Sequence, residues 1–301
     1  MNRTSFAGPA RESAQNSDAD SSFAHAAGTL FENPFPPPWA DAWGDDVYGL
    51  WADLCLGSVV QRLRWIEPGQ FLMGSPDGEL ERFGNEGPQH AVRISTGFWL
   101  ADSACTQALW LAVLAGDNPA RFKDDLQCPV EQVSFDDVHA FLTALTVQLP
   151  AGSQATLPTE AQWEYACRAG STTPFSFGVN ITPATVNFDG GLSKTPEAPE
   201  RIYREQTVPV KSLPPNAWGL HEMHGNVWEW CDDGQRVYEL VPAGRALVDP
   251  AGPREMRDNA HRAVRGGSWL RAARRCRSAY RNANPRRDRY DYLGFRLALR
   301  S

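Results

Sequence analysis

Two histidines, a pair of glutamates, six cysteines and one arginine-rich run have the types and spacing that could do chemistry in this chain. His221 and His224 stand three apart, a spacing that binds a transition metal when a third ligand arrives and that otherwise serves polar packing, which we expect here. Glu160 and Glu164 would share a helix face, as paired acid–base carboxylates do. Glu160 falls in a first helical turn, however, where the helix dipole favours a carboxylate, so a structural role is expected for both. The cysteines, at 55, 105, 128, 167, 231 and 276, contain no CxxC pair, which argues against a zinc knuckle or a thioredoxin-type site. Cys276 lies among Arg274, Arg275 and Arg277. These neighbours could lower its pKa and make a reactive thiolate, but a small buried apolar residue is the expectation. Gly190-Gly191 opens no helix, so no phosphate loop is read there.

The stretch Arg265 to Leu297 organises the rest. It begins Arg-Gly-Gly-Ser-Trp, ends Gly-Phe-Arg-Leu, and holds Arg, Asn, Asp and Tyr between. Gly266 and Gly267 suit a bulge or a close backbone approach, and Trp269, Phe295 and Leu297 can anchor the ends. Leu270 to Tyr292 carries eight Arg and two Asp, a local charge of +6 in a chain of net charge -7. So polar a run is expected on the surface, where Tyr supplies contact area and Arg and Asn supply hydrogen bonds.

The elements that position these residues follow from periodicity. Two alternating runs about Gly57-Ser58 predict a hairpin between Tyr48 and Ile66, with further strands at 71–75 and 98–101. Helices are expected at 106–115, at 134–148 with Asp136 and Asp137 in the first turn, and at 159–168. The third opens on Thr159 with Gln162 three residues on, a capping box. Residues 171–219 are rich in Pro, Gly, Asn and Thr and read as irregular, a length that implies a site or a staple. Short strands are expected at 225–231, 263–269 and 294–299. Helices early and strands late make an α+β architecture. Residues 1–37 read as a disordered tail and Pro-rich lead-in, and 38–301 as one domain.

Several motifs carry a family resemblance. Phe71-Leu72-Met73-Gly74-Ser75, Leu157 to Ala166, Pro214 to Leu220, Gly225-Asn226-Val227-Trp228-Glu229-Trp230, Arg265 to Trp269, Cys276-Arg277 and Gly294-Phe295-Arg296 resemble, in order, the formylglycine-generating enzyme (sulfatase-modifying factor) family. The resemblance covers roughly residues 60 to 299 and implies a C-type-lectin-like fold. It also implies two catalytic cysteines that bind copper; here the second position is Cys276 and the first is Arg271, with Ser268 at the family's serine. Soft thiolates select Cu(I) and a guanidinium never deprotonates, so copper is not expected. The family's calcium loop would place Ca²⁺ on Asn226, the Val227 carbonyl and Glu229, which offer hard oxygens. A second site would use Asn187 and the Phe188 carbonyl, though Ile202 stands where its acid belongs. The family-like histidine is His224.

From Leu270 to the end of the chain Lys, Glu, Gln, Met and Trp are absent, while residues reachable by changing the adenines of an Asn codon recur. This resembles the variable region of diversity-generating retroelement target proteins, some of which use this scaffold. A fixed ligand surface or a merely polar loop remains open beside it. The leading expectation is therefore a non-catalytic binding protein displaying Leu270, Arg271, Ala272, Arg274, Arg275, Tyr280, Asn282, Asn284, Tyr290, Asp291 and Tyr292 to a protein or other macromolecular ligand. The alternative is an oxidoreductase of the formylglycine-generating type acting on a cysteine thiol, with Cys276 and Ser268. The acidic balance argues against general nucleic-acid binding. There is no apolar run of spanning length and no secretory signal, so a cytoplasmic protein is expected, with the cell surface as the alternative.

Overall fold

The computed structural model describes residues 35–192, 201–254 and 260–300. The expected hairpin forms from β2 (Gly49–Leu56) and β3 (Val59–Ile66), antiparallel with Leu56 opposite Val59. It lies in a six-stranded sheet with β1 (Ala42–Asp46), β6 (Phe98–Ala101), β13 (Ala298–Arg300) and β7 (Gln154–Thr156), in the order β1-β2-β3-β6-β13-β7. A three-stranded sheet orders β4 (Gly69–Met73), β5 (His90–Ile94) and β9 (Leu247–Val248). A four-stranded sheet orders β11 (Asn282–Pro285), β10 (His261–Arg265), β8 (Trp228–Gly234) and β12 (Leu293–Phe295).

The three helices start where their caps dictate. In α1 (Gln107–Val113) the Thr106 hydroxyl accepts from Leu109 N. α2 (Phe135–Gln148) and α3 (Glu160–Arg168) open with capping boxes, Ser134 with Asp137 and Thr159 with Gln162. Val138, Phe141, Leu142 and Leu145 turn one face of α2 into the core. There Phe141 stacks on Trp110 at 5.3 Å and meets Phe295 edge-on.

Three strand boundaries differ from expectation, each for a local reason. Gly225 and Asn226 both have positive φ, 76° and 59°, so they form a turn and the strand starts at Trp228. Gly266 and Gly267, at 95° and 76°, end β10 at Arg265. The last strand is two: Leu293–Phe295 pairs with β8, and after Arg296 the chain crosses to pair with β6 and β7. The tail boundary moves as well. Phe35 stands edge-to-face on Trp43 at 5.0 Å and Pro37 O accepts from Ala40 N, so residues 35–37 belong to the fold. The rest of the expected tail lies outside the described residues.

The larger correction concerns charge. Residues Cys276–Arg281 are buried, although a run so polar points to the surface and Cys276 alone is expected inside. The chain supplies buried carboxylates for them: Arg277 pairs with Glu79 and Glu86, Arg281 forks onto Glu160 at 2.6 Å, and Arg265 pairs with Glu164. A bidentate guanidinium–carboxylate contact satisfies both partners' hydrogen bonds, which is the condition for burying them. Arg286 and Arg289 pair with Asp136 and Asp137 on α2. Of the eight arginines between Leu270 and Tyr292, Arg277 and Arg281 are thus spent inside the molecule, and the others stay partly or fully exposed.

Candidate ligand-binding surface

Both stems of the segment stand on one strand. Arg265 of β10 and Gly294 of β12 each pair with Glu229 of β8, so the stems are two strand spacings apart, roughly 10 Å. At the first stem, a Cβ added to Gly267 would lie 2.5 Å from Cys276 Sγ. That close approach explains the second glycine. The stems hold the segment in place, and the structure sorts the candidate residues between them into three groups.

The first group forms a stack. The Arg271 guanidinium lies 5.0 Å from the Tyr292 ring centroid, and Tyr292 stacks on Tyr290 at 5.0 Å with the rings 4° from parallel. Tyr290 is 37% exposed, and its hydroxyl donates to Asp288 at 2.9 Å. That bond, together with some burial, raises its pKa. Trp269 Nε1 donates to Asp291 O at 3.0 Å, and the Asp291 carboxylate pairs with Arg121. Leu270 and Ala272, half-buried, flank Arg271.

Sequence reasoning missed the supports around this stack. Phe122 meets Trp269 edge-on at 5.6 Å, and Tyr203 lies nearly parallel to Trp269 at 6.1 Å. One buried Glu131 oxygen accepts from Arg121 N at 2.6 Å and from Phe122 N at 2.9 Å; the other has no partner among the described residues. Burial pushes the Glu131 carboxyl up to about 7. No local pattern marks these positions, because they reach the stack only through tertiary contact.

The other two groups stand apart from the stack. Asn282 and Asn284 lie half-buried on β11, at the opposite edge of the four-stranded sheet from β12. Arg274 is exposed and Arg275 half-buried on a 3-10 turn, with the Arg274 guanidinium 5.6 Å from the Phe83 ring. Tyr280 is a correction. It is only 7% exposed, packed edge-on against Phe83 at 4.9 Å and against Trp228, so it belongs to the core and displays nothing.

The two residues expected for thiol chemistry are both buried. Cys276 is fully buried and burial pushes its thiol up to about 12, so it is protonated at neutral pH. The Ser268 hydroxyl is buried with no partner among the described residues. His224 orients on the Cys276 carbonyl through Nδ1 at 2.7 Å and on Ser176 through Nε2 at 2.9 Å. Burial lowers it to about 4. It is a neutral packing residue, as is expected of both histidines, and His221 Nδ1 lies 3.0 Å from the Leu213 carbonyl.

The residues expected to hold calcium divide. One Glu229 oxygen faces the Trp163 indole N–H at 2.7 Å and the other the Arg296 guanidinium at 2.9 Å. A buried guanidinium already supplies the counter-charge there. Asn226 Oδ1 accepts from Asn187 Nδ2 and from Val208 N. Asn226 and Glu229 therefore do not fit an open cation site around Val227. The buried Asn187 Oδ1 remains available, with no partner among the described residues, while the Phe188 carbonyl accepts from Gly190 N at 3.1 Å.

The domain described as sulfatase-modifying factor enzyme 1-like matches residues 58–301. The chain belongs to that family. The formylglycine-generating enzyme of Streptomyces coelicolor is 33% identical over 235 residues, 73% of this chain and 70% of that protein. The inactive C-alpha-formylglycine-generating enzyme 2 of Mus musculus is 30% identical over 184 residues, 58% of this chain and 50% of that protein. Among solved structures, Treponema denticola variable protein 1 matches with a TM-score of 0.68 at 24% identity, over 83% of this chain and 99% of that one. That likeness establishes the fold, and it is the fold of the formylglycine-generating type that the motifs imply.

Proposed function

We propose that this member of the family is a non-catalytic binding protein whose ligand, a protein or other macromolecule, meets the Arg271–Tyr292–Tyr290 stack. One observation carries the reading. Where the family resemblance calls for a first copper-binding cysteine, a guanidinium lies over an aromatic ring, and the remaining thiol is buried and protonated. Tyr and Arg in such a stack are the residue types that dominate binding energy at interfaces. The composition from Leu270 onward supports the further proposal that the segment is diversified by a retroelement. Sequencing the DNA downstream of the gene tests that: a near-copy of the Arg265–Leu297 coding segment that differs only at adenines, beside a reverse transcriptase gene, is the expected result.

The second reading, an oxidoreductase acting on a cysteine thiol, is favoured by the identity to the Streptomyces coelicolor enzyme. Copper-dependent oxygen consumption with a cysteine peptide separates the two. The binding reading expects no rate above a Cys276→Ser control, and a substantial Cys276-dependent rate overturns it. Calcium remains a structural proposal on Asn187 and Phe188, where it would stabilise the fold and take no part in chemistry. A rise in melting temperature on adding Ca²⁺ after chelation, lost in Asn187→Ala, is the outcome that supports it. A cytoplasmic location, with the cell surface as the alternative, is proposed on the sequence alone.

A further inference from the structure

A cleft of about 710 Å³ lies between β4, the residues following α3 and the loop that carries Trp218. That volume suits a small ligand. Its wall is aromatic: Phe71 meets Tyr165 at 5.2 Å, and Tyr165 stands edge-to-face on Trp218 at 4.9 Å. Phe71 and Trp218 are both half-exposed, so ring surface remains for a visitor. The rim is polar. Gln89 Nε2 donates to Gly74 O at 3.1 Å, an anchor that fixes its amide, and the exposed Gln70 adds a second amide. The Ser171 hydroxyl is buried with no hydrogen-bond partner among the described residues, although a buried polar group normally has one.

The lining offers no free charge. Its one ionic side chain, Arg168, is 3% exposed and spent on the Glu164 carboxylate at 2.9 Å and on the Gly74 carbonyl at 2.9 Å. An ionic ligand entering here would lose water without gaining a counter-charge.

We propose that this cleft binds an uncharged ring compound, with one apolar face against Phe71 and Trp218 and with hydroxyl or amide groups on Gln70, Gln89 and Ser171. Neutral pyranosides and nucleosides share that chemistry. The proposal is independent of the binding reading above, since no residue between Arg265 and Leu297 lines the cleft.

Saturation-transfer NMR on the full chain tests it. The neutral probes are methyl glucopyranoside, methyl galactopyranoside, uridine and adenosine, and the charged analogues are glucuronate and adenosine monophosphate. At least one neutral probe is expected to receive saturation, and which one does separates a sugar from a nucleoside. Its charged analogue should bind at least about tenfold more weakly, because the lining cannot compensate a charge. Trp218→Ala should abolish the signal. Leu72→Arg, at a side chain 49% exposed on the cleft rim, should weaken it without touching the core, so a poorly folded Trp218 variant does not block the test. No transfer to any neutral probe, equal or tighter binding of the charged analogues, or a signal that survives both substitutions overturns the proposal.

Discussion

Residues 276–281 and the stack of Arg271, Tyr290 and Tyr292 belong to one segment and both use Arg and Tyr, yet the first run is core and the second displays a stacked pair of tyrosines. The difference lies outside the segment. Arg277 and Arg281 meet Glu79, Glu86 and Glu160, carboxylates contributed by a loop and by the first turn of α3. Arg271 meets an aromatic ring instead. Within the segment, an arginine goes inside where a buried carboxylate meets it, whereas Arg289, paired with the partly exposed Asp137, stays outside, and only tertiary structure reveals that.

The largest effect that sharpens this contrast is expected at Arg277. Replacing it with Ala strands Glu86, a fully buried carboxylate, and should cost about 3 to 5 kcal/mol of stability, read as a shift in the urea midpoint. A loss under about 1 kcal/mol would break the comparison, since that is the range of exposed ion pairs. Tyr290→Ala should do the reverse, removing about 2 kcal/mol of affinity for the ligand in calorimetric titration while leaving the midpoint in place. Loss of stability in proportion would make the stack structural.

A smaller effect comes from Glu131, which holds the loop behind the stack. Its folded pKa, about 7, lies above the ordinary 4.5, so the fold favours the protonated form. The stability it contributes is fully present below the ordinary value and is lost as pH rises through about 7. Glu222, also raised to about 7, and Asp233, raised to about 6, act in the same direction. The buried histidines, with His224 lowered to about 4, act in the opposite direction below pH 6.5, so the test is a difference: relative to the wild type, Glu131→Gln should remove one contribution that lowers the melting temperature between pH 4.5 and about 7. The smallest effect is Arg274→Ala, expected within about 1 kcal/mol of wild-type stability because the side chain is exposed and its contact with the Phe83 ring is a surface cation–π pair.

The regular elements were legible because their signals are local. Thr159 with Gln162, Ser134 ahead of a periodic apolar face, and the Gly57-Ser58 turn each act within a few residues. The short strands were legible only in part: Phe98–Ala101 was, and β11 was not. Asn-Ala-Asn-Pro in β11 has no strand-favouring residue and is a strand only because β10 lies beside it. At the candidate site, Arg271 as a departure from a thiolate site was legible, as were Tyr290 and Tyr292 as displayed residues, though not their stacking. Tyr280 in the core was not, because burial depends on Phe83 and Trp228, distant in the chain.

Because both stems of the segment rest on Glu229 of β8, the stretch between them is a loop closed on a single strand. Closing a longer loop across the same gap costs only about 0.6 kcal/mol for each doubling of its length. Inserted residues between Pro285 and Tyr290 would therefore extend the ligand-facing surface at small thermodynamic cost, leaving the buried arginines untouched. At this face the chain is free to vary in length as well as in residue type, within the fixed frame of Arg265, Arg277, Arg281 and Gly294.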